Sequence, residues 1–385
     1  MSGMNPSAPM TLQDIQQLAE THGFDDLKIT DASEHKEAAK TFAAWLEREY
    51  HADMDWVSRD PHRRSTPRQL VPDAASVIML GVNYYRDTRD PPAGSGKVAR
   101  YAAGTDYHRV IEKGLKSLIE DLRSRDAGSQ HRYYVDYGPV LERAFAERSG
   151  LGFIGKSANL IHSRFGTYVF LATIITDARL PLSEPTPGTC GQCTRCIDIC
   201  PTGALKGPFQ VDANLCISYL TIENRGPIPR HLRAQIGSWL FGCDLCQEVC
   251  PYNARAERGR NVAIAGDTIA GTEMDVAELL GMRTDEEFSR RFSRSAVKRA
   301  KREGLVRNAA VVAGNLNQDA LIPALKEACR DESPLVRGHA VWALGEYGEA
   351  KFLDAFRKTE DDPGVLSEIA AVIGEPRTRN PHPGT

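Results

Sequence analysis

The chain has 385 residues, 41% of them hydrophobic, and its 48 Lys and Arg against 51 Asp and Glu leave a formal net charge of -3. That length holds material for two or three domain cores, and the near balance of charge names no partner. No charged-then-apolar leader and no apolar stretch of transmembrane length stands in it, and Arg63-Arg64 lies too deep for an export signal, so neither export nor a membrane partner is expected and a cytoplasmic location is.

In chain order, residues 11–177 alternate helical and strand-like patterns. Helices are expected near 11–22, 35–49, 107–125 and 139–149, and strands near Ala75–Tyr85, Tyr133–Tyr137 and Thr167–Ile175. This pattern predicts a sheet covered by helices over residues 1–180. The proline-rich Pro181–Gly188 then reads as a linker into a cysteine domain, 181–262. A basic connecting stretch, 263–303, follows. From 304 to 385 a weak repeat begins: Val306-Arg307-Asn308-Ala309-Ala310 and Val336-Arg337-Gly338-His339-Ala340 stand 30 residues apart, and each opens an apolar helix of HEAT-like character. The overall fold class is therefore α+β with a helical C-terminal repeat. Nothing resembles a heptad interface, so a monomer is the default.

Eight of the nine cysteines carry the strongest signal. Cys190, Cys193, Cys196 and Cys200 form C-x2-C-x2-C-x3-C before Pro201, Cys243, Cys246 and Cys250 form C-x2-C-x3-C before Pro251, and Cys216 lies between. A cubane needs four converging thiolates; three come from one tight loop, and the cysteine carried off by the Cys-Pro turn ligates the other cluster. The expected partition is interlaced. Cys190, Cys193, Cys196 and Cys250 hold one 4Fe–4S cluster, and Cys200, Cys216, Cys243 and Cys246 hold the second. Structural zinc would leave Cys196, Cys200 and both Cys-Pro dipeptides without a purpose, and a disulfide framework suits small secreted chains. Cys329 reads as a plain buried thiol.

Two further features need weighing. Gly150-Leu151-Gly152-Phe153-Ile154-Gly155 matches a dinucleotide fingerprint, yet a helix precedes it and a strand follows, the reverse of what pyrophosphate binding requires. Its glycines more simply permit a helix stop and close backbone approach. From Arg290 to Arg307 eight Lys or Arg (Arg290, Arg291, Arg294, Lys298, Arg299, Lys301, Arg302, Arg307) stand against the single acid Glu303. This run is either a solvated face or a phosphate-binding stripe, with Arg294, Lys298 and Arg302 on one helical face.

Clusters move single electrons, so the first domain must hold the substrate or a second redox group. Here the residues resemble a known family. The segments RRSTPRQLVPDAASVI (63–78), ARYAAGTDYHRVI (99–111), VDYGPVLERAFAERSGLGFIGKSANLI (135–161), CGQCTRCIDICPTGAL (190–205), CISYLT (216–221) and FGCDLCQEVCPYN (241–253) together look like epoxyqueuosine reductase, over nearly the whole chain. The resemblance implies an N-terminal α/β sandwich that binds cobalamin, a ferredoxin-like domain with two 4Fe–4S clusters, and a HEAT-like tail. It also implies the last step of queuosine biosynthesis: reduction of epoxyqueuosine to queuosine in the wobble position of tRNA, with electrons from an unidentified donor. By the same resemblance Asp136 is the proton donor, and Arg64, Ala99, Asp136, Leu160, Leu171, Ser218 and Gly242-Cys243-Asp244-Leu245 contact cobalamin. Arg143 and Lys156 are left as corrin amide, tRNA phosphate or surface partners, and the role of Asn159 is left open.

The chemistry of Asp136 agrees with that role. Opening an epoxide makes an alkoxide, and a positioned acid that protonates the oxygen lowers the barrier. Asp136 is flanked by Tyr133, Tyr134 and Tyr137, and burial beside aromatic and corrin surfaces is expected to favour its neutral form; the competing reading is an N-cap for a helix starting near Pro139. A pure iron–sulfur electron-transfer module, a corrinoid reductive dehalogenase and a HEAT-type scaffold are the alternatives. A twin-arginine leader would favour the dehalogenase, and a scaffold accounts for the last quarter only.

Overall fold

The computed structural model describes residues 10–266 and 269–374. The chain forms two compact units: one joins the chain up to Asp87 with Gly104–Cys216 and the stretch beginning at Asp244, the other joins Thr88–Ala103, Ile217–Cys243 and the chain from Ile269 onward.

The first unit is built on a four-stranded antiparallel sheet in the order Asp26–Asp31, Ser76–Asn83, Val169–Thr176, His131–Tyr134. Ser76–Asn83 is buried along its whole length, which is why it reads as an unbroken apolar run rather than an alternating one. Its register sets Ile78 opposite Ile29 on one side and Ile174 on the other. Helices Leu12–Thr21, Lys36–Glu47, Tyr107–Arg125 and Glu142–Ser149 lie in this unit. The first opens on a capping box between Thr11 and Asp14. The third buries Ile111, Leu115, Leu118, Ile119 and Leu122, an i, i+4, i+7 stripe. Phe145, Ala146, Leu151 and Leu160 close a core against Val77, Met79 and Ile175.

The second unit combines a three-stranded sheet, Trp239–Phe241, Ser95–Val98 and Glu273–Asp275, with stacked helices. Helix Lys301–Leu316 packs on Pro334–Glu346, which packs on Pro363–Gly374. The first two carry the repeat seen at 306 and 336; residues 375–385 of the expected repeat lie outside the described residues. The connecting stretch is itself structured, with helices Val276–Leu280 and Asp285–Arg291 and a 3-10 turn Ala296–Ala300.

That structure corrects the reading of the basic run. Arg294, Lys298 and Arg302 do not share a helix, because Ala296–Ala300 is a separate 3-10 turn and the helix begins at Lys301. Arg302 is buried in a two-pronged ion pair with Asp331, at 2.8 and 3.0 Å. Arg307 is fully buried and donates to the carbonyls of Leu220, Asn224 and Gly226. Burial pulls its guanidinium down to about 10, still charged near neutrality. Arg290, Arg294, Lys298 and Lys301 remain exposed. Among the described residues no helix is long and apolar enough to cross a membrane.

Candidate cluster centre and proton-donor turn

None of the nine cysteines is in a disulfide, and the seven of the two runs and Cys216 are partly buried while Cys329 is fully so. The electrostatics of the first unit sort them. Burial pushes the Cys250 thiol up, and the nearby charges of Cys190 and Cys193 add to it; Cys196 is raised by burial, then by Cys190, with Cys250 adding less. Cys246 is raised further by burial, then by Cys216 and Asp244, with Cys196 and Cys200 behind. Cys250 and Cys196 thus have thiol neighbours from the first predicted ligand set, while Cys246 has neighbours from both sets, Cys216 and Cys200 from its own and Cys196 from the other. Thiols that resist ionising when crowded and buried fit a cationic centre that ionises them. Among the described residues no three His, Cys, Asp or Glu side chains stand at the spacing of a single ion.

The glycine-rich segment serves this centre. Helix Glu142–Ser149 ends at Gly150 in the left-handed region, φ 83°, and a Cβ there would meet the Glu184 carbonyl oxygen at 2.2 Å. The short strands Phe153–Ile154 and Leu160–Ile161 pair beyond it. A Cβ on Gly155 would lie 2.5 Å from Ile161 Cδ1 and 3.5 Å from Cys190 Sγ. The Lys156 N–H donates to Cys190 Sγ at 3.4 Å, its Nζ donates to the Gly191 carbonyl, and Asn159 Nδ2 donates to Cys246 Sγ at 3.8 Å. Lys156 and Asn159 thus each reach a cysteine sulfur, Lys156 through its backbone and Asn159 through its side chain. Such N–H···S bonds raise a cluster's potential. Arg143 donates to the Ala158 carbonyl and braces the same loop. Gln247 and Asn253 fasten the second cysteine run to Thr167 and Tyr84.

Asp136 lies just past strand His131–Tyr134, in a left-handed turn at φ 60°. Its side chain is 70% exposed, so the flanking tyrosines by themselves do not bury it. The helix-cap alternative also fails: the helix begins at Glu142 with Leu141 as a cap that makes no side-chain bond. Instead Tyr107 Oη donates to Asp136 Oδ2 at 2.6 Å, and His108 Nε2 stands 3.8 Å from the same oxygen. Asp106 aims this pair, because its carboxylate caps the Tyr107–Arg125 helix and meets His108 Nδ1 at 2.8 Å. Burial raises the Asp106 carboxyl, but the His108 hydrogen bond and charge more than offset it and hold it low. On the backbone side, Asp136 N–H donates to Glu142 Oε2 at 3.1 Å, and Thr173 Oγ1 donates to Glu142 Oε1 at 3.3 Å. Burial and the Asp136 charge push the Glu142 carboxyl up to about 8. Tyr107, His108 and Glu142 lay inside the quoted segments 99–111 and 135–161 but were given no role from sequence.

The remaining expected cofactor contacts fall in both units. In the first, Arg64 is buried, donates to the Gly138 and Trp56 carbonyls, and keeps its Nε without a partner. Leu160 and Asp244 are buried there, Leu171 is half-buried on the central strand Val169–Thr176, and Leu245 opens the turn Leu245–Glu248. In the second, Ser218 lies on the helical turn Ile217–Ile222. Gly242, at φ 71°, packs so close to Ala99 that a Cβ would stand 2.5 Å from the alanine methyl.

Comparison with known proteins decides what this arrangement belongs to. Residues 64–137 match the family model "Epoxyqueuosine reductase QueG, DUF1730", residues 189–253 a 4Fe-4S double cluster binding domain, and residues 295–374 HEAT repeats. The epoxyqueuosine reductase of Xanthomonas campestris is 39% identical over 343 residues, covering 87% of this chain and 95% of that one. The chain belongs to the epoxyqueuosine reductase family. It is an oxidoreductase acting on epoxyqueuosine, with two 4Fe–4S clusters bound by its double cluster domain. The Synechocystis epoxyqueuosine reductase is 43% identical over 279 residues, 72% of this chain and 96% of that one. A crystal structure of epoxyqueuosine reductase with an epoxyqueuosine-modified stem loop of tyrosine tRNA matches with TM-score 0.88 at 30% identity, covering 94% of this chain and 97% of that one. The Bacillus subtilis enzyme, solved with its aspartate catalytic loop swung out of the active site, matches with TM-score 0.86 at 29% identity, covering 94% of this chain and 98% of that one. Family membership sets aside the dehalogenase, simple electron-carrier and scaffold alternatives.

Proposed function

We propose that the chain reduces the epoxide of epoxyqueuosine in the wobble position of tRNA, with Asp136 as proton donor and cobalamin as the group where electrons from the clusters meet the substrate. The observation that carries this reading is the Asp136 turn: an open carboxyl, oriented by Tyr107 and followed by a glycine-rich loop whose next residues bond the cluster thiols. The overall change takes two electrons and two protons, breaks both C–O bonds, and leaves a cyclopentene and water.

Each part of the chain then has a task. Cys190, Cys193, Cys196 and Cys250 hold one cluster, and Cys200, Cys216, Cys243 and Cys246 hold the other, reduced one electron at a time by an external donor. Cobalamin, when bound, supplies the paired-electron reduction that single-electron clusters do not. The family resemblance gives Arg64, Ala99, Asp136, Leu160, Leu171, Ser218 and Gly242-Cys243-Asp244-Leu245 as the residues that would hold it; in the first unit the unpartnered Arg64 Nε is a donor such a ligand could use. Asp136 gives a proton to the epoxide oxygen, and the Tyr107 hydroxyl stabilises the carboxylate left behind. The open side chain recovers its proton from water. The exposed Arg290, Arg294, Lys298 and Lys301 offer charge to the phosphates of the anticodon stem, whose A-form helix is recognised through its backbone. The enzyme works as a cytoplasmic monomer.

The test is Asp136→Asn, which keeps shape and removes the transferable proton. Turnover of an epoxyqueuosine stem loop should fall by roughly 10² while iron content and tRNA affinity persist. A wild-type rate places the donor elsewhere.

A further inference from the structure

We infer that Glu142 is a positioning residue that latches the Asp136 turn in its working conformation; this rests on the reading of Asp136 as proton donor. Asp136 holds φ 60°, a region that L residues other than Asn and Asp seldom occupy, and such a conformation persists only where its surroundings over-determine it. Besides the Tyr107 and Arg64 bonds described above, the turn is held by Tyr137 N–H to the Val135 carbonyl at 2.6 Å, Tyr137 Oη to Glu112 at 2.7 Å, and Asp136 N–H to Glu142 Oε2 at 3.1 Å. The last binds the backbone of the donor residue itself. Glu142 opens helix Glu142–Ser149, whose Phe145 and Ala146 are fully buried, so its carboxyl is carried on a rigid element.

The surroundings define which form of Glu142 serves. Facing it are the Asp136 carboxyl, the Arg143 guanidinium, the Tyr137 phenol and, from the central strand, Thr173. Thr173 Oγ1 also stands 3.5 Å from Met79 Sδ. A neutral carboxyl satisfies both hydrogen-bonding neighbours once the Thr173 bond is reversed: its carbonyl oxygen accepts the Asp136 N–H, its O–H donates to Thr173 Oγ1 where the carboxylate would accept, and Thr173 donates onward to the Met79 sulfur. Burial and the Asp136 charge keep it in that form up to about pH 8. Above that, ionised Glu142 sets a second negative charge beside Asp136 and opposes the carboxylate that proton donation creates.

Glu142→Gln preserves both hydrogen bonds and cannot ionise; Glu142→Ala removes the latch. Amide hydrogen exchange of the segment 134–141, read by mass spectrometry on the free enzyme, should quicken about tenfold in the alanine variant and stay near wild type in the glutamine variant. With the epoxyqueuosine stem loop, kcat of the alanine variant should fall about tenfold with KM little changed, because the proposed phosphate contacts are Arg290, Arg294, Lys298 and Lys301. The wild type should lose activity above about pH 8, and Glu142→Gln should lack that limb. Wild-type exchange in the alanine variant, or an unchanged alkaline limb in the glutamine variant, overturns the latch. Should the alanine variant fail to fold, the glutamine pH profile decides alone. Quickened exchange in Glu142→Ala beside a fully active Asp136→Asn keeps the latch and refutes the donor.

Discussion

Replacing Arg307 by methionine separates a structural cation from a tRNA-binding one. The side chain is fully buried and donates to three carbonyls, Leu220 at 2.7 Å, Asn224 at 2.9 Å and Gly226 at 2.7 Å. Stranding three buried carbonyls costs about 1–2 kcal/mol each, and relief from burying the charge returns part of that, leaving about 3 kcal/mol. For a unit of this size the melting temperature should drop by roughly 10 °C. Anaerobic thermal unfolding followed by circular dichroism reads the shift, and fluorescence anisotropy with a tRNA stem loop reads affinity against salt. The account expects a large melting shift and an unaltered salt slope. An unshifted melt with a shallower slope would mean that Arg307 meets phosphate, and the buried hydrogen bonds would be wrong.

Cys216→Ala should lose one cluster only, retaining about four irons per chain by metal analysis; retention of about eight would remove Cys216 from the ligand set. Tyr107→Phe deletes the hydroxyl at 2.6 Å from Asp136 and should lower kcat about tenfold with little change in KM for tRNA, whereas an unchanged kcat would deny it a part in orienting the acid. The triple change of Arg294, Lys298 and Lys301 to Gln should flatten the salt dependence of tRNA binding by up to about three slopes of 0.7 to 0.9 each. Including Arg302 instead would break its buried pair with Asp331 and confuse folding with binding.

The sequence is most legible where local signals agree. The 107–125 helix was read to the residue, because an Asp cap and a clean apolar stripe coincide. Strand Asp26–Asp31 escaped, since it is short and interleaves Asp and Lys with its two buried apolar residues, Leu27 and Ile29. The strand expected through Tyr137 stops at Tyr134, because the Asp136 turn bonds Tyr137 N–H back to Val135. That same turn is why the next helix begins at Glu142 rather than 139. The cysteine spacing carried its chemistry openly, since cluster ligation is written in short loops. Partnerships across long separations were not legible: Arg302 with Asp331, Arg307 with Leu220, and Tyr107 with Asp136 all depend on tertiary placement. In the basic run this made two buried structural arginines look like surface charge.

The most direct measurement is a single-turnover reaction of the anaerobically reconstituted enzyme, carrying about eight irons and one cobalamin, with an epoxyqueuosine-modified tRNA and a strong reductant, followed by nucleoside mass analysis. The account predicts that epoxyqueuosine disappears and a product lighter by one oxygen atom, queuosine, takes its place, with conversion lost when cobalamin is withheld. Undiminished epoxyqueuosine in the presence of fully loaded enzyme, or equal conversion without cobalamin, would contradict it.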